Sequence, residues 1–361
     1  MTSLKRKEKR YLRRKQKREK KQFTYDDILN PNDYFEAFKK CKKGVDWKTK
    51  TINYEVNLIH NVNDLLKDLK EKKDIRKPSY NFKISERGKT REIQALDFSE
   101  RIPQKVLCDK VLIPTLTQTL IYDNGASQKG KGVSFARKRF KKHLVKYINK
   151  NGSKGYIILI DYSKYFENID QEILKEKIID KYFKDKDLNN YIYQYVKAFK
   201  KGLGLGSQVA QVLAVSYVNE IDQYAKTKLR LKYYGRYMDD SYIIVESLKE
   251  AKDILNKLDE ACLKLNIKIN FKKTKIIPLK QPFTYLQRKY FINNKNIVIK
   301  ANKKSIVRER RKLKRLYNYS KLHNLNTREL LKASFNSWKG SLIGTKCYKQ
   351  LSTLKVKIRS I

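Results

Sequence analysis

Three carboxylates define the chemistry open to this chain. Asp239 and Asp240 stand side by side in Tyr237-Met238-Asp239-Asp240, and Asp161 closes the apolar run Tyr156-Ile157-Ile158-Leu159-Ile160 about 80 residues upstream. Carboxylates are hard oxygen donors suited to Mg2+. Two such cations, held between them, favour in-line phosphoryl transfer, in which one activates an attacking hydroxyl and the other neutralises a leaving pyrophosphate. An isolated Asp-Asp pair in a turn is more often solvated than catalytic, so the upstream acid carries the argument. Thiol and imidazole metal sites are disfavoured: His60, His143 and His323 are scattered, and Cys41, Cys108, Cys262 and Cys347 have no close ligand spacing.

Specific elements must position these acids. Leu231-Lys232-Tyr233-Tyr234-Gly235-Arg236 and Ser241-Tyr242-Ile243-Ile244-Val245 flank the acid pair with aromatic and β-branched residues, which predicts a strand-turn-strand hairpin with the acids at its tip. The run ending at Asp161 predicts a buried strand. If the two are neighbours, Asp161 and Asp239 share the cations, with Asp240 beside them. Between the acids lies the glycine-spaced loop Gly202-Leu203-Gly204-Leu205-Gly206, followed by a helix with apolar Val209, Leu213, Tyr217 and Ile221. Arg87-Gly88-Lys89-Thr90-Arg91-Glu92-Ile93 reads as a further hairpin.

Together these residues resemble the reverse transcriptases, whose palm carries one aspartate at a strand end and a Tyr-x-Asp-Asp box on a hairpin. The resemblance covers roughly residues 30 to 345. It implies an α+β right-hand polymerase with fingers, a palm built on an antiparallel sheet and a helical thumb. Asp161 and Asp239 would be the principal metal ligands and Asp240 a supporting one, for two Mg2+ ions with Mn2+ as a substitute. Phe166, five positions after Asp161, would be the steric gate that selects deoxynucleotides, with a core Phe as the alternative. Lys273, in Asn270-Phe271-Lys272-Lys273-Thr274, would be the general acid toward pyrophosphate; composition alone allows a solvated surface lysine equally. Arg91 would grip the triphosphate through bidentate hydrogen bonds. Lys131 would be the second basic contact, in a stretch where the family's usual arginine is Gln128. Gly206 and Gln211 would face the nucleotide, Tyr237 and Met238 the primer and template. Phe283 and Leu286 would form the primer grip, with Gln287 where glycine is usual. The family's common Gln-Gly-x-x-x-Ser-Pro reads here Leu205-Gly206-Ser207-Gln208-Val209-Ala210-Gln211. That departure resembles the diversity-generating retroelement and phage-defence branches.

Composition points the same way. Among 361 residues, 85 Lys and Arg face 37 Asp and Glu, a net charge of +48 that calls for a polyanionic partner. If six to ten phosphates are contacted, affinity should fall roughly 10³- to 10⁵-fold between about 50 and 200 mM salt. A hydrophobic content of 40% is enough for a real core. The expected organisation is a basic flexible arm over 1–22, an N-terminal helical region and the start of the fingers over 23–95, fingers and palm over 96–300, and a helical thumb over 301–361. In the thumb, Thr327 would cap the helix that carries Leu330, Leu331, Phe335 and Trp338. Expected partners are an RNA template, its DNA product and deoxynucleoside triphosphates, with a dedicated noncoding RNA and an accessory protein as further possibilities and no membrane. Four unclustered cysteines fit reduced thiols and a cytoplasmic home, which the resemblance implies is bacterial. Two other function classes stay open: an untemplated or protein-primed DNA polymerase, and a non-catalytic RNA-binding scaffold on the same fold.

Overall fold

The structure, a computed structural model, describes residues 22–86 and 89–359. The basic arm, apart from Gln22, and the Arg87-Gly88 tip of the first hairpin lie outside the described residues. The chain is α+β, as expected. Its longer helices are α1 (Pro31–Lys42), α2 (Thr49–Val56), α3 (Leu58–Lys70), α4 (Phe98–Leu107), α5 (Val133–Asn151), α6 (Lys186–Lys197), α7 (Gln208–Tyr217), α8 (Leu248–Leu263), α9 (Lys303–Leu322), α10 (Thr327–Ser341) and α11 (Tyr348–Arg359).

Strands β1 (Tyr80–Glu86) and β2 (Lys89–Ala95) form the first hairpin. The central sheet has the order β4-β5-β3-β6, with β3 Tyr156–Ile160, β4 Tyr234–Tyr237, β5 Asp240–Val245 and β6 Lys275–Pro278, every pair antiparallel. A third sheet joins β7 (Phe283–Tyr285), β8 (Arg288–Asn293) and β9 (Asn296–Ala301) in that order.

The central sheet is buried on both sides, which explains why β3 and β5 read as continuous apolar runs. Ile158, Ile160, Ile243 and Val245 belong to the large core shared with α4, α6, α7 and α8. Ile157, Tyr242 and Ile244 belong to a second core with Phe140 and Leu144 of α5 and Tyr285 and Tyr290 of the third sheet. Because side chains alternate along a strand, this partition fixes the register. Ile160 pairs with Ser241, so the next position sets Asp161 beside Asp240.

Two local expectations change. The first arm of the acid-bearing hairpin begins at Tyr234 rather than Leu231. The cap of α10 is Asn326, whose side chain accepts from the Glu329 amide, while Thr327 is the first helical residue and its hydroxyl accepts from Ser320. The three C-terminal helices α9 to α11 pack around Leu313, Leu331, Phe335 and Leu354. They join the third sheet through Arg288, which donates to the Ile343 carbonyl at 2.7 Å, and through the Lys346 amide, which donates to Ile299 at 2.7 Å.

Candidate active site

Asp161 leaves β3 with both of its peptide groups engaged. Its amide donates to Thr274 Oγ1 at 3.2 Å and its carbonyl accepts from the Asn270 amide at 2.8 Å. The turn is closed on itself by the Thr274 amide donating to the Asn270 carbonyl at 2.8 Å. Segment 270–274 is therefore folded onto Asp161, and Lys273 Nζ comes to 3.6 Å from Asp161 Oδ2. That oxygen is buried and accepts no hydrogen bond.

The Tyr237-Met238-Asp239-Asp240 turn joins β4 and β5 through two residues, Tyr237 pairing with Asp240. Met238 has φ +54°, a left-handed conformation that costs a non-glycine residue about 1–2 kcal/mol. Beneath the turn lies Arg236, 1% exposed, against fully buried Asp222. Arg236 Nε donates to both Asp222 oxygens at 2.9 Å, Nη2 to Asp222 Oδ2 at 2.7 Å and to the Val215 carbonyl at 2.9 Å, and Nη1 to the Met238 carbonyl at 2.8 Å. Burial works against the guanidinium's charge, but Asp222 more than offsets this and holds its pKa above the ordinary arginine value. Removing one partner of such a pair would cost about 3–5 kcal/mol.

The glycine loop connects Phe166 to the first hairpin. The Leu203 amide donates to the Phe166 carbonyl at 2.7 Å, and the Gln94 amide of β2 donates to the Leu205 carbonyl at 3.1 Å. Both flanking glycines are required by contact and by conformation. Gly202 has φ +60° and an added Cβ would lie 2.3 Å from the Phe166 carbonyl; Gly206 has φ +127° and its Cβ would lie 2.2 Å from the Gln94 carbonyl. Arg91 thus sits on a strand tied to this loop, paired with Ile84 across the hairpin. Ser207 caps α7, accepting from the Ala210 amide. On that helix, buried from Val209 to Tyr217 apart from this position, Gln211 is exposed. Val209, Leu213, Tyr217 and Ile221 are buried as their spacing predicts, although the helix breaks at Val218.

A cavity of about 440 Å³ opens at the end of the central sheet, walled in part by Asp161, Asp240, Lys273, Phe283 and Leu286. Asp239 occupies the turn rather than the cavity wall, half-buried. The donor set fits a hard divalent cation: carboxylate oxygens on adjacent strands, one of them buried and accepting no hydrogen bond. Among the described residues no three His, Cys, Asp or Glu side chains enclose an ion by themselves. Mg2+ is commonly held by one or two carboxylates together with substrate phosphates, so this pair suffices for part of its shell.

Residues 71–288 match the family model of the reverse transcriptase (RNA-dependent DNA polymerase), more than half of the chain. The chain belongs to the reverse transcriptase family. No curated protein is similar to it in sequence. Among solved structures it is similar to a Candida albicans telomerase in complex with a fragment of telomeric RNA (12% identity, TM-score 0.48), covering 81% of this chain and 62% of that one. It is also similar to an apo telomerase from Candida tropicalis (14% identity, TM-score 0.49), covering 76% and 58%. The chain spans about six tenths of the length of these telomerases.

In this reverse transcriptase fold the remaining sequence expectations are distributed unevenly. Lys131 Nζ is held by the Tyr122 and Asn124 carbonyls, at 3.0 and 3.2 Å, and burial lowers its pKa. Its ammonium ties its own loop together. Phe283 is 2% exposed and stacks on Tyr290, and Leu286 is 9% exposed, so both side chains are packing groups. Leu286 and Gln287 both have positive φ, +43° and +65°. Arg137 of α5 clamps that turn, donating to the Leu286 carbonyl from Nε at 3.1 Å and Nη2 at 2.8 Å. Tyr237 and Met238 stay on the acid-bearing hairpin, both half-buried.

Several contributors escape a reading of the sequence. Arg236 reads there as one more strand residue, and Asp222 as the end of a helix. No spacing pattern flags Asp222: the helix that carries Val209, Leu213 and Tyr217 ends before it, and Asp222 lies in a separate short helical segment, Asn219–Gln223. Arg137 and Gln94 gave no signal, since both act through backbone groups remote in sequence.

Proposed function

We propose that this chain is an RNA-directed DNA polymerase that copies an RNA template into cDNA by two-metal-ion nucleotidyl transfer. The observation that carries the proposal is the register of β3 on β5, which sets Asp161 beside Asp240 at one end of the sheet, with Lys273 held against Asp161. Asp161, Asp239 and Asp240 would hold two Mg2+ ions, with Mn2+ as a substitute. When bound, such ions activate a primer 3′-hydroxyl and stabilise charge on the leaving pyrophosphate. Arg91 would hold the triphosphate, Phe166 would exclude a 2′-hydroxyl, and Gly206 and Gln211 would line the nucleotide. Lys273 would donate a proton to pyrophosphate. The basic surface expected from a net charge of +48 would hold template and product.

The departures Leu205 and Gln211 support a place among reverse transcriptases of diversity-generating retroelements or of bacterial phage defence, working in the cytoplasm on a dedicated noncoding RNA, with an accessory protein in the first case. No described helix is long and apolar enough to cross a membrane. The test is to sequence the DNA made by purified protein with its co-purifying RNA, Mg2+ and four deoxynucleotides, beside Asp239→Asn. DNA complementary to one bound RNA, absent from the variant, is the expected result. DNA unrelated to any RNA would overturn templating in favour of untemplated or protein-primed synthesis. RNA binding without DNA from either protein would favour a scaffold.

A further inference from the structure

The pair Arg236–Asp222 is more elaborate than the stability of its strand requires. Strand β4 is already held by β5 on one side, and on the other by the Arg236 amide donating to Asp123 and the Gly125 amide donating to Arg236. Asp222 has two further donors, Tyr234 Oη and Asn124 Nδ2. Well-packed apolar residues often replace a buried ion pair without loss of stability. One contact is not replaceable in that way: Arg236 Nη1 donates to the carbonyl of Met238, the left-handed residue that immediately precedes Asp239.

We propose that Arg236 is a positioning residue for the acid-bearing turn: anchored by Asp222 and the Val215 carbonyl, its guanidinium holds Met238 in the left-handed conformation that presents Asp239 and Asp240. The proposal rests on the polymerase reading for its consequence in metal binding, though not for the pin itself. Asp222 fixes the plane of the guanidinium through Nε and Nη2, which leaves Nη1 aimed at one backbone oxygen. A lysine would keep the charge beside Asp222, but a single ammonium cannot reach Asp222, Val215 and Met238 together. Arg236 touches neither substrate nor ion in this scheme; it acts through the turn.

The experiment compares the wild-type chain with Arg236→Lys, with the apolar replacement Arg236→Met/Asp222→Leu, and with Asp239→Asn. Thermal unfolding establishes that each is folded. Amide hydrogen exchange at 238–240 reads the turn directly, and electron paramagnetic resonance titration of Mn2+ on the protein with primer-template and a non-hydrolysable deoxynucleotide reads the ion. Both Arg236 replacements should speed exchange at the turn and weaken Mn2+ by about 10-fold or more, with nucleic-acid affinity unchanged. Unchanged exchange in either folded variant overturns the pin. Failure of both to fold marks the pair as a stability element and also overturns it. If exchange rises in the Arg236 variants while Mn2+ binds equally to wild type and Asp239→Asn, the pin stands and the metal reading falls.

Discussion

Lys273 holds its ammonium nitrogen 3.6 Å from Oδ2 of Asp161, an oxygen that is buried and accepts no hydrogen bond. The contact is built by the backbone: Asn270 and Thr274 bond both peptide groups of Asp161, so the lysine between them is carried to the acid. In the proposed polymerase this cation would act on the leaving-group side of the phosphoryl transfer.

Replacing it should therefore slow chemistry while sparing binding. Lys273→Ala is expected to lower the single-turnover rate of nucleotide addition by about 10²- to 10⁴-fold, the usual range for loss of a general acid. Lys273→Arg should recover part of the rate, because it restores charge but not a proton donor of suitable pKa. Quench-flow incorporation of one deoxynucleotide measures both. A rate within twofold of wild type for the alanine variant would place Lys273 on the solvated surface.

Phe166 is fixed at its backbone by Leu203 and at its ring by edge-on contact with Tyr165, centroids 5.5 Å apart. Truncation to alanine removes the ring without moving the carbonyl that the glycine loop uses. Phe166→Ala should raise ribonucleotide incorporation relative to deoxynucleotide by about 10-fold or more. Competition between the two nucleotides on one primer-template reads the ratio, and unchanged sugar discrimination would remove Phe166 from the gate.

Gly206 links the glycine loop, proposed to line the nucleotide, to the hairpin that carries Arg91. In Gly206→Ala the new Cβ would lie 2.2 Å from the Gln94 carbonyl, and the backbone at φ +127° resists any side chain. The expected result is a stability loss of about 1–3 kcal/mol together with a raised KM for deoxynucleotides. Gly44 is the control: it also has positive φ, at +81°, but nothing lies within 4 Å of its added Cβ. Gly44→Ala should cost about 1 kcal/mol and leave KM untouched. Equal KM values in the two variants would disconnect the loop from the nucleotide.

The parts of this architecture legible in the sequence are those written in local pattern. The apolar run before Asp161 and the β-branched arms around Asp239 gave strands and a hairpin because strand periodicity is local, and the spacing of Val209, Leu213 and Tyr217 gave a buried helix for the same reason. That the strand ending at Asp161 neighbours the acid-bearing hairpin stood only as a condition, and that Asp161 lies beside Asp240 came from the structure, since register depends on how both faces of the sheet are buried. The supports of the site were hidden because they act through carbonyls: Arg236 on Met238, Arg137 on Leu286, the Gln94 amide on Leu205 of the glycine loop. A carbonyl acceptor leaves no trace in residue identity. The contacts of Lys131 were hidden for the same reason, since its ammonium donates to two carbonyls of its own loop.

A second buried charge cluster makes the fold itself pH-dependent. His143 lies with Nε2 3.6 Å from Asp123 Oδ2 and Nδ1 2.9 Å from the Tyr242 hydroxyl; Arg139 and Lys226 also face Asp123. Burial, opposed by Asp123 and reinforced by Lys226, Arg139 and Lys146, pushes the imidazole pKa down to about 4. An unfolded histidine titrates near 6.5. Between these values the unfolded chain binds more protons than the folded one, so stability rises with pH across the window. The contribution is fully present above about pH 6.5 and is lost as pH falls toward 4. His143→Gln removes the titration from both states. Urea unfolding at several pH values from 4.5 to 7.5 should therefore show a gap between wild type and variant that narrows as pH falls, on the order of 1 kcal/mol or more across the window. Parallel curves would show that His143 binds its proton equally in the folded and unfolded chain.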